Sequence, residues 1–236
     1  MRLMVCPRLG VTRFHESPVT HFVSLIDPDE RETPLQAPKS TTHTLRLIFN
    51  DLDDIEKTLP MFARYSSPDE NDVARLVAFG HAMESLPDWG LLVHCEAGIS
   101  RSTASAITII TAAGYHPAIA FGMVRRACPA MLPNRRMLRM ADDLLKTKGA
   151  LCHMAEVHRR KAFLRAGYED PTLTRQREAK ETAAGGPARR GGRPGFFRRL
   201  FARFLGSPKI SQAAPRQPVL LGARPAPPSS QPAKTH

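Results

Sequence analysis

The sequence predicts an α/β domain with a small, largely parallel sheet flanked by helices, followed by a basic extension without a core of its own. Three observations predict it. β-prone segments crowd the first half of the chain, helical periodicity dominates the later part, and one clear strand–loop–helix unit joins the two. With 42 % hydrophobic and 24 % charged residues among 236, the chain has the composition of an ordinary globular protein.

In chain order, Leu3–Cys6 and Thr20–Ile26 read as strands, the second stopping at Asp27-Pro28. The Pro- and charge-rich stretch Pro28–Ser40 reads as a loop, and Thr44–Phe49 as a third strand. Asp51–Ser67 suggests a short helix and a loop. Ser67-Pro68-Asp69-Glu70 starts a helix to about Leu86, with Val73, Leu76, Val77, Gly80 and Met83 at helical spacing. Leu91-Leu92-Val93, short, apolar and bounded by turns, fits a buried central strand. Helices are expected over Arg101–Ala113, Pro117–Ala127 and Pro133–Thr147, with a last one over Leu151–Arg165. Residues 1–150 form the predicted domain, 151–170 its C-terminal helix, and 171–236 the extension.

The extension differs in chemistry. Residues 171–236 carry 13 Lys/Arg against two Asp/Glu, and ten of the chain's 21 prolines; residues 1–170 carry 21 against 20. The body is nearly neutral, so no nucleic-acid partner is expected, and oligomeric state is left open. Too little apolar surface is available in the extension to offset ordering entropy, which predicts that most of it is disordered. One island, Phe196–Leu205, places its Phe and Leu residues on one half of a helical wheel and its three Arg on the other. That pattern suits an interfacial helix on anionic lipid; docking onto the body of the chain or a partner, or a disordered basic segment, are the rival readings.

The four cysteines, Cys6, Cys95, Cys128 and Cys152, form no Cys-x-x-Cys pair and fit no zinc ribbon. A disulfide scaffold is not expected at this density, nor is a signal peptide or membrane span. A reducing cytoplasm is the expected location, peripheral to a membrane if the island binds lipid. Cys6, Cys128 and Cys152 read as packing residues, with a redox partner for Cys95 among them as the alternative.

Cys95 is different. His94-Cys95-Glu96-Ala97-Gly98-Ile99-Ser100-Arg101-Ser102 lies between the central strand and a helix. A bare Cys-x5-Arg is a weak signal, but the flanking His, Gly and Ser and the strand–helix setting make it specific. A phosphate monoester dianion needs donors on all its equatorial oxygens, and a tight loop at a helix N-terminus supplies them as backbone N–H groups. Residues Glu96 to Arg101 would form that loop. Gly98 permits a backbone conformation that a Cβ disfavours, and Arg101 offers a planar fork for two phosphoryl oxygens. Cys95 would be the nucleophile, its thiolate favoured by the helix end and nearby cations. His94 would orient and polarise the loop around the sulfur, and the Ser102 hydroxyl would help the sulfur leave.

The motif resembles the signature of the protein tyrosine phosphatase superfamily, His-Cys-x5-Arg-Ser/Thr, and in particular its compact dual-specificity branch. A second match, Arg126-Ala127-Cys128-Pro129-Ala130-Met131-Leu132-Pro133-Asn134, resembles that branch's Arg-Pro-x3-Pro-Asn segment. It implies that Asn134 braces the phosphate loop; Cys128 stands where many relatives have a basic residue. The resemblance covers roughly residues 1–150. It also implies a general acid, an Asp after a strand upstream of the signature. Asp51 fits that place, with Asp53 and Asp54 as close rivals and an N-cap as its plain structural alternative.

The resemblance implies a protein-tyrosine or dual-specificity phosphatase working through a cysteinyl-phosphate. It needs no metal and no cofactor, and it takes a phosphorylated protein as partner. An inositol or lipid phosphate phosphatase and a catalytically silent phosphate-binding module are the alternatives. Polyanion pockets tend to carry lysines within the loop, whereas positions 96–100 hold one acid and no base. Rhodanese-like sulfur transfer does not require the Arg-Ser ending.

Overall fold

The computed structural model describes residues 2–167 except 35, 55–57, 87 and 166. The extension from residue 171, including Phe196–Leu205, lies outside the described residues. Four strands, β1 (Arg2–Pro7), β2 (His21–Ile26), β3 (His43–Ile48) and β4 (Gly90–Cys95), form one sheet in the order β1-β4-β2-β3. Every pairing is parallel: Cys6 stands beside His94, Leu25 beside Leu47, and Phe22 beside Leu92. The sheet is thus fully parallel rather than largely so.

The strand residues divide by alternation. Leu3, Val23, Leu25, Leu91, Val93 and Cys95 enter the main core, while Met4, Cys6, Phe22 and Leu92 enter a smaller cluster on the other face. Among the described residues, five helices contribute to the main core: α1 (Glu70–Met83), α2 (Arg101–Ala112), α3 (Pro117–Ala127), α4 (Arg135–Leu145) and α5 (Ala150–Arg165). The other face is closed by the 3-10 turn Arg8–Phe14 and neighbouring loops, with Val11, Val19, Phe14 and Ala37 filling the cluster.

Helix ends are set by side-chain chemistry. α1 starts at Glu70 because Asp69 accepts from the Asp72 N–H while Asp72 accepts from the Asp69 N–H, a reciprocal capping box. α4 starts at Arg135 rather than Pro133 because Asn134 Oδ1 accepts from the Met137 N–H. Every residue of α2 is buried, as expected of a helix enclosed by its neighbours. α1 can approach it because Gly80 has no side chain: a Cβ there would lie 2.4 Å from the Ile109 carbonyl oxygen.

All four strands run the same way, so their carboxyl ends share one edge. Pro7-Arg8, Asp27, Phe49–Asp51 and Cys95 therefore converge there, the edge at which open parallel sheets bind ligands.

Candidate active site

The loop from Cys95 to Arg101 joins β4 to α2. Its conformation is fixed from outside by donors that take its carbonyls. The Arg8 N–H donates to Glu96 O (3.3 Å), the Cys128 thiol to Gly98 O (3.4 Å), and the Leu132 N–H to Ile99 O (3.0 Å). Ser100 O accepts from the Ala104 N–H (3.0 Å), the Asn134 N–H (3.4 Å) and the Thr103 hydroxyl (2.9 Å). In a planar trans peptide the carbonyl of one residue and the N–H of the next point in opposite directions. With these carbonyls drawn outward, the N–H groups of Ala97, Ile99, Ser100 and Arg101 turn toward the inside of the loop. That is the geometry of an anion nest at a helix N-terminus.

Gly98 makes the loop's position possible. Its φ is +70°, a region costly for L-residues with a Cβ. A Cβ would also lie 2.4 Å from Pro7 N and 2.5 Å from Cys6 C. The loop is pressed against the backbone at the end of β1, where no side chain could yield.

Cys95 is 1 % exposed. Its Sγ accepts from the Gly98 N–H at 3.2 Å, and its thiol donates to Ser102 Oγ at 3.2 Å. Once the sulfur is a thiolate, the Ser102 hydroxyl can donate instead. His94 Nε2 lies 2.8 Å from Ser24 Oγ and its ring stacks on Phe22. Burial pushes its pKa down to about 4, so the imidazole is neutral at ordinary pH. His94 can anchor the loop to β2, but it brings no positive charge to the sulfur, which qualifies the polarising part expected of it.

Arg101 is 3 % exposed. Its Nη1 donates to Asp27 Oδ1 and to Phe49 O, both at 2.6 Å. Its Nε makes no hydrogen bond among the described residues and lies 4.0 Å from Asp51 Oδ2. Side-on recognition of an anion by a guanidinium uses Nε and Nη2 together. Asp27 and Phe49 hold the third nitrogen, which leaves that edge for two phosphoryl oxygens.

Asp51 lies beside the loop. Its Oδ1 accepts from Ser100 Oγ (2.7 Å) and Asn134 Nδ2 (2.9 Å), while its Oδ2 faces the Nε edge of Arg101. Its two sequence rivals point elsewhere: Asp53 pairs with Arg135, and Asp54 with Arg136 and Arg139. Asn134, expected to brace the phosphate loop, lies between that loop and Asp51. Its amide serves Asp51 and Leu52 O (3.2 Å), and only its backbone N–H reaches the loop, at Ser100. The reason is valence: its oxygen caps α4, so its two N–H donors go to the acid-bearing segment. Glu96 points outward and pairs with Arg8 (2.9 Å), which also binds Glu30 (2.8 Å).

Several participants were not identified in the sequence: Asp27, Ser24, Arg8, Phe49 and the arginines of α4. Asp27 carried one usable signal. It directly succeeds a strand of a parallel sheet, the position from which side chains reach the ligand edge.

No protein-family model and no curated protein matches the sequence. Among solved structures the chain is similar to human DUSP28, at 21 % identity over 63 % of this chain and 94 % of that one, with a TM-score of 0.45. It is similar to the human tyrosine phosphatase-like serine/threonine/tyrosine-interacting protein at 18 % identity, over 62 % and 92 % of the two chains, with a TM-score of 0.45. PTPMT1 in complex with PI(5)P gives 16 % identity, 63 % and 93 % coverage and a TM-score of 0.42. Each of these likenesses spans more than nine-tenths of the other chain.

Proposed function

We propose that this chain is a cysteine-dependent phosphoric monoester hydrolase acting on phosphotyrosine-type groups of proteins. The observation that carries the reading is the arrangement around Arg101: an Nε without a hydrogen bond among the described residues, with the Oδ2 of Asp51 4.0 Å from it, next to the loop that bears Cys95. The Cys95 thiolate attacks phosphorus, and the S–P bond forms as the P–O bond to the leaving group breaks. Asp51 gives its proton from Oδ2 to the departing oxygen. Water then attacks phosphorus, the S–P bond breaks, and the Asp51 carboxylate takes a proton from that water, releasing inorganic phosphate and regenerating the thiolate. The loop N–H groups and Arg101 hold the equatorial oxygens throughout, which is electrostatic preorganisation. Ser102 stabilises the sulfur as it leaves.

Two features favour a substrate with a single phosphate. Positions 96–100 hold no base, and the nearby Arg8 is already paired with Glu96 and Glu30. Arg8 therefore offers a second phosphate no unengaged cation.

Turnover is measured on phosphotyrosine, phosphoserine, phosphothreonine and inositol phosphates, with Cys95→Ser as the blank. The expected result is turnover of phosphotyrosine, none in Cys95→Ser, and retained phosphate binding in that variant. Asp51→Asn should lose about 10²–10⁴-fold on aryl phosphates with poor leaving groups and far less on good ones. Undiminished activity in Cys95→Ser overturns the reading; faster turnover of inositol phosphates moves the substrate to that class.

A further inference from the structure

We infer that three arginines of α4, Arg135, Arg136 and Arg139, are positioning residues that clamp the Asp51 segment over the phosphate loop. The inference rests on the proposed role of Asp51 as the acid.

After β3 the chain makes a long excursion before α1, and Asp51 sits at its neck. The neck is closed by the Asn50 N–H donating to Ser66 O (2.7 Å) and the Ser66 N–H donating to Asn50 Oδ1 (3.1 Å). Closure alone fixes the base of the excursion but not its tilt toward Arg101. The tilt is set from α4. Asn134 holds Asp51 and Leu52, Arg135 donates to Asp53 (3.1 Å), and Arg136 donates to Asp54 Oδ1 (2.5 Å). Arg139 takes Asp54 with two nitrogens, Nε to Oδ2 and Nη2 to Oδ1, each 3.1 Å. Arg136 Nε also donates to Pro68 O (2.8 Å), at the far end of the excursion. One helix thus grips the segment on both sides of its neck.

The spacing explains the choice of residues. Positions 135, 136 and 139 lie on adjoining faces of the first turns of α4, since residues three and four apart are neighbours on a helix. A planar fork engages both oxygens of Asp54, which an ammonium could not do. The electrostatics agree: burial of the Asp54 carboxylate is outweighed by its hydrogen bonds from Arg139 and Arg136, which hold the carboxyl below its usual range. The anchoring helix is also tied to the loop, through the Asn134 N–H on Ser100 O. Acid segment and phosphate loop are therefore referenced to the same rigid element.

Each exposed ion pair is weak and screened by salt, yet a displacement of about 1 Å at a reacting group can cost about 10²-fold. The clamp therefore acts on proton delivery rather than on binding of the phosphoryl group, and its signature is the leaving-group dependence of turnover.

The test measures kcat and KM for phenyl phosphate, a poor leaving group, and for an aryl phosphate with a strongly acidic phenol. The proteins are the wild type, Arg136→Gln/Arg139→Gln, Arg136→Lys/Arg139→Lys and Asp54→Asn, with Asp51→Asn alongside. The expected result is that the Gln pair and Asp54→Asn widen the rate ratio between the two substrates by roughly tenfold or more, with KM little changed. The Lys pair should restore part of the loss. In the wild type the ratio should also widen between 0.1 and 1 M salt, and in Asp54→Asn it should not respond. If the Gln pair does not fold, Asp54→Asn decides, because it removes the negative charge and one of the two acceptor oxygens that the arginines hold. An unchanged ratio in folded clamp variants, with Asp51→Asn still selective, overturns the clamp alone. No selectivity in Asp51→Asn overturns the acid assignment beneath it.

Discussion

Replacing Gly98 by alanine tests how the phosphate loop is held, because the structure separates two costs there. The first is conformational. At φ +70° an L-residue with a Cβ loses about 1–2 kcal/mol. The second is steric, since the new Cβ would stand 2.4 Å from Pro7 N and 2.5 Å from Cys6 C. Ordinary contact begins near 3.4 Å, so the loop or the end of β1 must shift by about 1 Å. Overpacking of that kind costs about 1–3 kcal/mol. Gly149 supplies the control: its φ is +79°, yet a Cβ there meets nothing within 4 Å. Gly149→Ala should therefore lose about 1–2 kcal/mol, and Gly98→Ala about 2–5 kcal/mol. At about 2–4 °C per kcal/mol for a domain of this size, the two melting temperatures should separate by several degrees. Turnover should separate further. A shift of about 1 Å in the N–H cradle should cost Gly98→Ala about 10²-fold or more in kcat for good and poor leaving groups alike, while Gly149→Ala keeps wild-type kinetics. Thermal melts and aryl phosphate kinetics on both variants decide it. Equal melting temperatures, or a Gly98→Ala protein with wild-type kcat, would refute the idea that the loop is wedged against β1.

The same geometry sets two more outcomes. Asp27→Ala should leave Arg101 Nη1 with Phe49 O as its remaining partner; because Asp27 is 32 % exposed, the expected loss is toward the low end of the buried-pair range, about 1–3 kcal/mol. Its KM for aryl phosphates should rise as the guanidinium loses orientation, and Asp27→Asn, which keeps an acceptor oxygen, should lose less; equal KM values in both and in the wild type would sink this role. Burial also pushes His21 and His94 down to about 4 from an ordinary 6.5, His43 adding to the effect on His21. Below pH 6.5 the unfolded chain binds protons that the folded chain refuses until about pH 4, so stability is complete above 6.5 and falls across that window. The slope is on the order of 1 kcal/mol per pH unit for each histidine. Chemical denaturation between pH 7 and 5 should show it, and His21→Gln should flatten it; a level curve in the wild type would mean that neither histidine is held neutral.

The strands and the nucleophile loop were legible because their signals are local. Alternation in Thr44–Phe49 and the apolar run Leu91-Leu92-Val93 mark strands directly, and Cys95, Gly98, Arg101 and Ser102 lie within eight residues. The features that escaped depend on strand order. Asp27 before Pro28 reads as the end of a strand, and only the β1-β4-β2-β3 arrangement brings it to Arg101, 74 positions away. The arginines of α4 carry no local signal of their task, because their partners are 82 to 85 positions distant. The 3-10 turn Arg8–Phe14 left no signal either, because it buries only Gly10 and Val11, too little to leave a periodic pattern.

The carboxylates around the site divide by the cations assigned to them. Glu96 and Glu30 are neutralised by Arg8, Asp53 by Arg135, Asp54 by Arg136 and Arg139, and Asp27 holds Arg101 by Nη1. Asp51 is placed differently: its cation is the Nε edge of Arg101, at 4.0 Å and without a hydrogen bond. In the proposed mechanism that edge is the one the phosphoryl group takes. Substrate binding would then remove the cation facing Asp51 and set negative charge beside it. Asp27 meets neither change, because the nitrogen it occupies is not part of the edge the substrate claims. Two aspartates near one buried guanidinium can thus have separate tasks, one orienting the cation and the other delivering the proton, decided by which nitrogen each one faces.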